Sequence, residues 1–515
     1  MKEHDVVVVG GGSAGWITAL FLQVNLPNSN ITVVESPEIG ILGAGEGTTP
    51  HFIHFLDEIN IPVSDLIRET GATIKNGIKF TNWNNDGSYY YHAFGVDHKA
   101  LDNIGAHDLV DEYHIGSMMA VADDLPFKDF TFVSKVCERN KVPHILESNT
   151  QPIGLNPIFK YSKLANFAIH FDAAKLANYL REVAKQRGVF HIEGKVTKIN
   201  SKETGEILSV ELDSGQLLPL DFVFDCSGFK RLIIGNHFNS EWISYKEHLP
   251  VDTALPFFLD RTNNTPPYTE SIAMKYGWMW KIPLQHRYGC GYVFDSSLVS
   301  EEDIKKEIEE YLGFKPLYPR ETKGSFKFNA GCYRTPWIKN CIAIGLSSGF
   351  IEPLEATSIF ASVVALRRAL FDLTLFFSYN EETVSQYNEE LSAFTEDIFN
   401  FVYFHYLGDR NDTPFWNKFK DIEKHPNAVK TNVIKFSKFV PRKSDFHNRA
   451  PFGLPSWVQV AYGLNKLNKE IFKKTVKDNN FDSKYKLNYL HWKTVSTDVA
   501  NDCALHNSFL DDLKS

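Results

Sequence analysis

Asp5-Val6-Val7-Val8-Val9-Gly10-Gly11-Gly12-Ser13-Ala14-Gly15 is the stretch whose reading decides the fold. Four β-branched residues in a row suit a strand buried on both faces. Gly10, Gly12 and Gly15 then form Gly-x-Gly-x-x-Gly at the mouth of a helical pattern. That pattern has Trp16, Leu20 and Val24 four apart and stops at Pro27. Asn30-Ile31-Thr32-Val33-Val34 predicts a second strand, closing on Glu35. In such a βαβ unit the first glycine permits a tight turn. The second lets the backbone approach a pyrophosphate, and the third lets helix and strand pack closely. The helix N-terminus offers free N–H groups and a positive dipole end to phosphate. Glu35 is placed to accept hydrogen bonds from ribose hydroxyls. The unit therefore reads as dinucleotide-binding rather than as a plain glycine-rich turn. The motif does not separate NAD from FAD. It occurs once, with no second fingerprint for NADPH, which points to a flavin enzyme fed reduced cofactor from elsewhere.

The rest of the chain sets bounds. Its 515 residues suggest roughly three structural units. With 54 Lys+Arg against 63 Asp+Glu the net charge is −9, and the pI near 6.1 argues against a nucleic-acid partner. No apolar run approaches the ~18 residues of a membrane span, and the N-terminus lacks a secretory pattern. The six cysteines are scattered without Cys-x-x-Cys, so a zinc ribbon or redox dithiol is not expected and a reducing cytoplasm is. His51 and His54 have no accompanying ligand cluster, and no metal site is expected. Aromatic residues reach 14%, a heavy load that asks for an explanation.

Further strands are predicted at 208–212, 222–224 and 341–344, a helix from Thr357 to about Phe377, and mainly helix beyond. The fold class is α/β in mixed layers. Residues 1–375 are expected to form a nucleotide-binding module interleaved with substrate-facing, aromatic-rich segments at about 81–160 and 245–330. Residues 376–515 are expected to form a helical, substrate-binding part.

Several motifs converge. Gly43-Ala44-Gly45-Glu46-Gly47-Thr48, Ile78-Lys79-Phe80-Thr81-Asn82-Trp83, His170-Phe171-Asp172-Ala173 and Asp225-Cys226-Ser227-Gly228-Phe229 are four of them. Trp278-Met279-Trp280-Lys281-Ile282-Pro283 and Glu352-Pro353-Leu354-Glu355-Ala356-Thr357-Ser358 are two more. Together they resemble the flavin-dependent tryptophan halogenase family, from the N-terminus to at least Trp457-Val458-Gln459-Val460. The resemblance implies a flavin-monooxygenase-like fold. It also implies FADH2, O2 and a halide acting on an indole, pyrrole or phenol, through hypohalous acid that travels to a separate arene pocket.

Carried over by motif, Lys79 meets the hypohalous acid. Glu355 stabilises the arene cation and takes its proton. The pair would hold both charges in a closed pocket. Flavin contacts are implied for Gly10, Gly12, Ser13, Ala14, Gly15, Glu35, Gly45, Glu46, Val196, Gly345, Leu346 and Ser347. The backbone N–H groups of Thr357 and Ser358 would hold the halide, as a helix N-terminus suits an anion. Tryptophan-specific members have Ser-Thr-Gly where this chain has Ala356-Thr357-Ser358, and the lost glycine implies bromide or iodide used better than chloride. Trp278, Trp280 and Pro283 would wall flavin from arene. His92 and Phe94 would face the arene, with Trp83 and Tyr91 lining the pocket. The implied partners are a small aromatic substrate and a separate NAD(P)H flavin reductase, with no nucleic acid and no membrane; a homodimer stays open.

Two rivals stand beside this reading. An aromatic hydroxylase on the same fold would not need Lys79. A serine hydrolase would use Ser347 in Gly345-x-Ser347-x-Gly349, with Asp409 and a later histidine downstream.

Overall fold

The computed structural model describes residues 4–37, 45–95, 109–143, 165–319, 324–376, 379–446 and 450–513. Gly43, Ala44 and the parts of the aromatic-rich segment at 96–108 and 144–160 lie outside them.

The valine run forms the strand His4–Val9 inside a six-stranded sheet. It lies between Phe222–Asp225 and Ser29–Glu35, parallel to both. Strand alternation sends Val6 and Val8 into a core shared with Trp16 and Leu20, and Val7 and Val9 into a second core on the opposite face. Burial on both faces is what an uninterrupted β-branched run requires. The helix Ser13–Asn25 follows, and Leu26 N–H closes it onto Leu22 O before Pro27. The expected strands appear as Ile207–Leu212, Phe222–Asp225 and Cys341–Ala343, and the helix as Ser358–Phe376.

A second sheet has seven strands in the order Phe326–Lys327, Thr253–Asp260, Arg287–Phe294, Gly277–Pro283, Thr269–Met274, Gly77–Thr81 and Tyr89–Ala93. One side of it packs into a large aromatic core with the helix Glu381–His405. Every described regular element after Phe376 is helical. No helix among the described residues is long and apolar enough to cross a membrane. All six cysteines are free and buried.

Candidate active site

A cavity of about 780 Å³ runs from the glycine loop to the start of the Ser358 helix. Its fit to a flavin dinucleotide rests on three observations. A Cβ at Gly10 would lie 2.2 Å from Cys226 O and one at Gly15 1.8 Å from Gly10 O, whereas one at Gly12 would meet nothing within 4 Å. The loop is thus locked everywhere except where a phosphate would press. Glu35 Oε2 is buried without a well-formed hydrogen bond, His191 Nε2 standing 3.2 Å away, and the carboxylate lines the cavity where ribose hydroxyls would lie. Lys195, Lys230 and Lys327 stand along the wall as counter-charge for a pyrophosphate. Of the residues carried over, Gly10, Gly12, Ser13, Ala14, Glu35, Gly45, Glu46, Val196, Gly345 and Leu346 line this cavity. Burial pushes the Glu46 carboxyl up to about 7.

Asp225 explains why its motif sits here. Its buried carboxylate accepts from Ser227 N and Oγ and from the N–H groups of Ile233 and Ile234. That fixes the loop carrying Gly228 and Phe229 along the cavity. Ser347 is a buried structural residue: its hydroxyl donates to Gly228 O at 3.3 Å, and Asp409 pairs with Lys466 at 2.9 Å. The geometry gives the hydrolase reading neither a base nor an open nucleophile.

Trp280 lines the cavity, and Trp278 packs beside it with ring centroids 6.1 Å apart. Trp278 Nε1 donates to the buried Glu352, which also receives the Tyr406 hydroxyl. Pro283 contributes its carbonyl, accepting from Thr73 Oγ1.

Glu355 sits in a one-turn 3₁₀ segment, Pro353–Glu355, and is buried. His92 Nδ1 lies 2.8 Å from its Oε2, and His405 Nε2 2.7 Å from its Oε1. Burial alone would raise this carboxyl; the charges of the two histidines outweigh it and hold the group down at about 2. An ionised acceptor fixes the proton of His92 on Nδ1. His405 is missing from the sequence reading. It ends the helix Glu381–His405, and only its burial on Glu355 marks it.

The lysine is a correction. Lys79 does not meet Glu355. It belongs to the strand Gly77–Thr81, where successive side chains alternate faces. Ile78 turns to the flavin cavity and Phe80 stacks on His405, so Lys79 points the other way, its ammonium 4.1 Å from the Tyr89 ring. Lys75, in the preceding strand Thr73–Lys75, is the cation beside Glu355. Its Nζ donates to Thr48 O at 2.9 Å and lies 5.5 Å from the Phe94 ring. Gly47 leaves room for it, since a Cβ there would come within 3.1 Å of Nζ. Burial lowers the Lys75 ammonium to about 8, and the charge of Glu355 works against that fall.

Two pocket residues are corrected on the same ground. Tyr91 neighbours His92 on its strand and so faces away, donating to Glu138. Trp83 is core behind His405, its indole N–H on Ser271 O. His92 meets Glu355, and the Phe94 ring lies by the Lys75 ammonium. Phe401, Phe452 and Trp457 extend the aromatic surround: Phe401 and Phe452 stack at 4.0 Å, and His92 lies 5.3 Å from Phe401. Ala356 takes a left-handed backbone, φ 55°, just before Thr357 and Ser358. Among the described residues no group of three or more metal-ligating side chains occurs.

A nucleotide-sized cavity edged by Trp280 and a buried acid–base cluster among aromatic rings make up the site, the arrangement expected of a flavin enzyme. A family model described as tryptophan halogenase matches residues 5–477. The chain is 32% identical over 444 residues to the tryptophan 7-halogenase RebH of Lentzea aerocolonigenes, covering 82% of this chain and 79% of that protein. It is 31% identical over 467 residues to the tryptophan 6-halogenase ThaL of Streptomyces albogriseolus, covering 85% and 83%. Among solved structures it superimposes on the flavin-dependent halogenase Xcc4156 from Xanthomonas campestris with TM-score 0.83 at 27% identity, covering 99% and 98% of the two chains. The chain belongs to the tryptophan halogenase family. It is a flavin-dependent halogenase that uses reduced FAD and a halide, with a flavin reductase as supplier.

Proposed function

We propose that this halogenase transfers an oxidised halogen to an indole-type arene held between the His92–Phe94 strand end and the Phe401–Phe452 stack, with Lys75 and Glu355 as its catalytic residues. The observation that carries the reading is the buried cluster of Lys75, Glu355, His92 and His405. When bound, reduced flavin with O2 supplies the oxidising power that turns halide into hypohalous acid.

Lys75 meets that acid. Its ammonium donates to the oxygen and polarises the halogen toward the arene. Holding the ammonium at about 8 keeps it charged at neutral pH yet close to releasing its proton. Glu355, ionised between two histidines, stabilises the cationic ring carbon and accepts its proton. His92 Nδ1–H orients the carboxylate. The wall of Trp278 and Trp280 keeps the arene from the flavin, which favours halogenation over direct hydroxylation.

Tryptophan is the first arene to test, because RebH and ThaL are tryptophan halogenases by name. For the halide, Ser358 stands at the start of its helix where the tryptophan-specific pattern has glycine, and it adds a side chain beside the Thr357 and Ser358 amides. That supports bromide or iodide over chloride. Mass spectrometry of an indole, phenol and pyrrole panel, with a flavin reductase and each halide, tests the proposal. A brominated indole lost in Lys75→Ala is the expected result. Oxygenated product that survives Lys75→Ala would make the enzyme a hydroxylase, and equal or better chlorination would remove the halide preference.

A further inference from the structure

His170 is buried with both ring nitrogens facing hydroxyls. Nδ1 lies 3.1 Å from Thr73 Oγ1 and Nε2 lies 2.9 Å from Thr269 Oγ1. Thr73 has one hydroxyl proton and gives it to Pro283 O at 2.6 Å. Toward His170 it can therefore only accept, which puts the imidazole proton on Nδ1. Burial, with the positive charge of Lys75 and then that of His506, keeps the ring neutral. Nε2 is then bare, and Thr269 must donate to it. Thr269 also lines the flavin cavity, beside Ile78 and Trp280. With its only proton turned onto His170, its oxygen has nothing but lone pairs left to offer.

We propose that Thr269, locked by His170 and Thr73, is an acceptor-only point of the flavin cavity that makes the site prefer reduced to oxidised FAD. The chemistry is simple: the reduced isoalloxazine carries N–H groups that the oxidised ring lacks, and only a donor gains from an acceptor that cannot turn round. The inference rests on the flavin reading of the cavity and gives the His170-Phe171-Asp172 motif a task that the phosphate loop and the halogenating cluster leave unassigned. Thr269 is a positioning and selectivity residue in this account, and His170 acts through it.

The test measures binding, not turnover. Dissociation constants of oxidised FAD and of dithionite-reduced FAD are determined anaerobically, by quenching of protein fluorescence, for the wild type, Thr269→Val, Thr269→Ser and His170→Leu. Loss of one neutral hydrogen bond in Thr269→Val should weaken reduced FAD about fivefold and leave oxidised FAD within about twofold. Thr269→Ser should keep the wild-type ratio. His170→Leu, which frees the Thr269 proton to rotate, should bring the two constants together. Equal weakening of both redox forms in Thr269→Val, or no change in either, overturns the proposal. Failure of the wild type to bind either form would overturn the flavin assignment of the cavity itself, and the inference with it. If His170→Leu does not fold, the contrast between Thr269→Val and Thr269→Ser decides alone.

Discussion

His92 Nδ1 stands 2.8 Å from Glu355 Oε2, and both side chains are buried. This contact joins the edge strand of the seven-stranded sheet to the loop that closes the flavin cavity. A carboxylate buried without partners would take up a proton. Here His92 and His405 keep it charged, as the proposed base has to be before an arene arrives.

The two lysines divide cleanly. Lys75→Ala should lower halogenation more than ~100-fold, the scale of a lost proton-transfer or electrostatic partner, while FAD still binds. Lys79→Ala removes a half-buried ammonium lying over Tyr89 and should leave the rate within about threefold. Chromatographic product assays on both variants check this. The reverse order of effects would return the catalytic role to Lys79.

Replacing His92 with Phe should give the reaction an acid limb it otherwise lacks. The wild-type carboxyl, held at about 2, stays ionised across pH 5–8. Without the His92 charge and hydrogen bond, burial dominates and its pKa rises. Rates in His92→Phe should then fall as pH drops toward 5 while the wild-type ratio between pH 5 and pH 8 does not follow. Parallel profiles for the two proteins would mean that His92 does not hold the Glu355 charge.

The dinucleotide unit was legible because local rules coincide there: a β-branched run, the Gly-x-Gly-x-x-Gly motif and a helix stop in 27 residues. Glu355, the proposed base, was legible too, since it lies in a motif. The lysine was not. Ile-Lys-Phe beside Asn-Trp draws attention to Lys79, yet the face of a strand is set by register against its neighbours. Pairing with Glu270 on one side and Tyr91 on the other turns Lys79 outward. Lys75 is buried only because Thr48 and Gly47, far away in sequence, fold over it. His405 needed the same long-range information.

Gly291 is packed under the wall. A Cβ there would lie 2.1 Å from the Trp280 ring, and the strand backbone leaves little slack. Gly291→Ala should therefore push the indole toward the cavity and raise the FAD dissociation constant about tenfold, with the cost of displaced packing near 1–3 kcal/mol. Fluorescence titration reads it directly. Unchanged FAD affinity would show that Trp280 can step aside and is not a rigid wall.

His506, on the last described helix, reaches back to the strand that carries Lys75. Its Nε2 accepts from Ile74 N–H at 3.0 Å and its Nδ1 donates to Thr265 O at 2.9 Å. The bond from Ile74 needs the neutral ring, whereas the one to Thr265 survives protonation. Burial, the largest influence, pulls the imidazole from its ordinary 6.5 down to about 4, the Thr265 bond opposing. The sign follows. Between those two values the unfolded chain takes up a proton that the folded chain refuses, so this contribution is complete above 6.5 and declines as pH falls toward 4. Its loss at pH 5 is about 2 kcal/mol. Gln at this position can accept from Ile74 and donate to Thr265 without titrating. His506→Gln should thus match the wild type at pH 7.5 and exceed it at pH 5, measured by urea denaturation midpoints at both. The same fall in midpoint for both proteins would show that His506 is not the group whose protonation loosens the Lys75 strand.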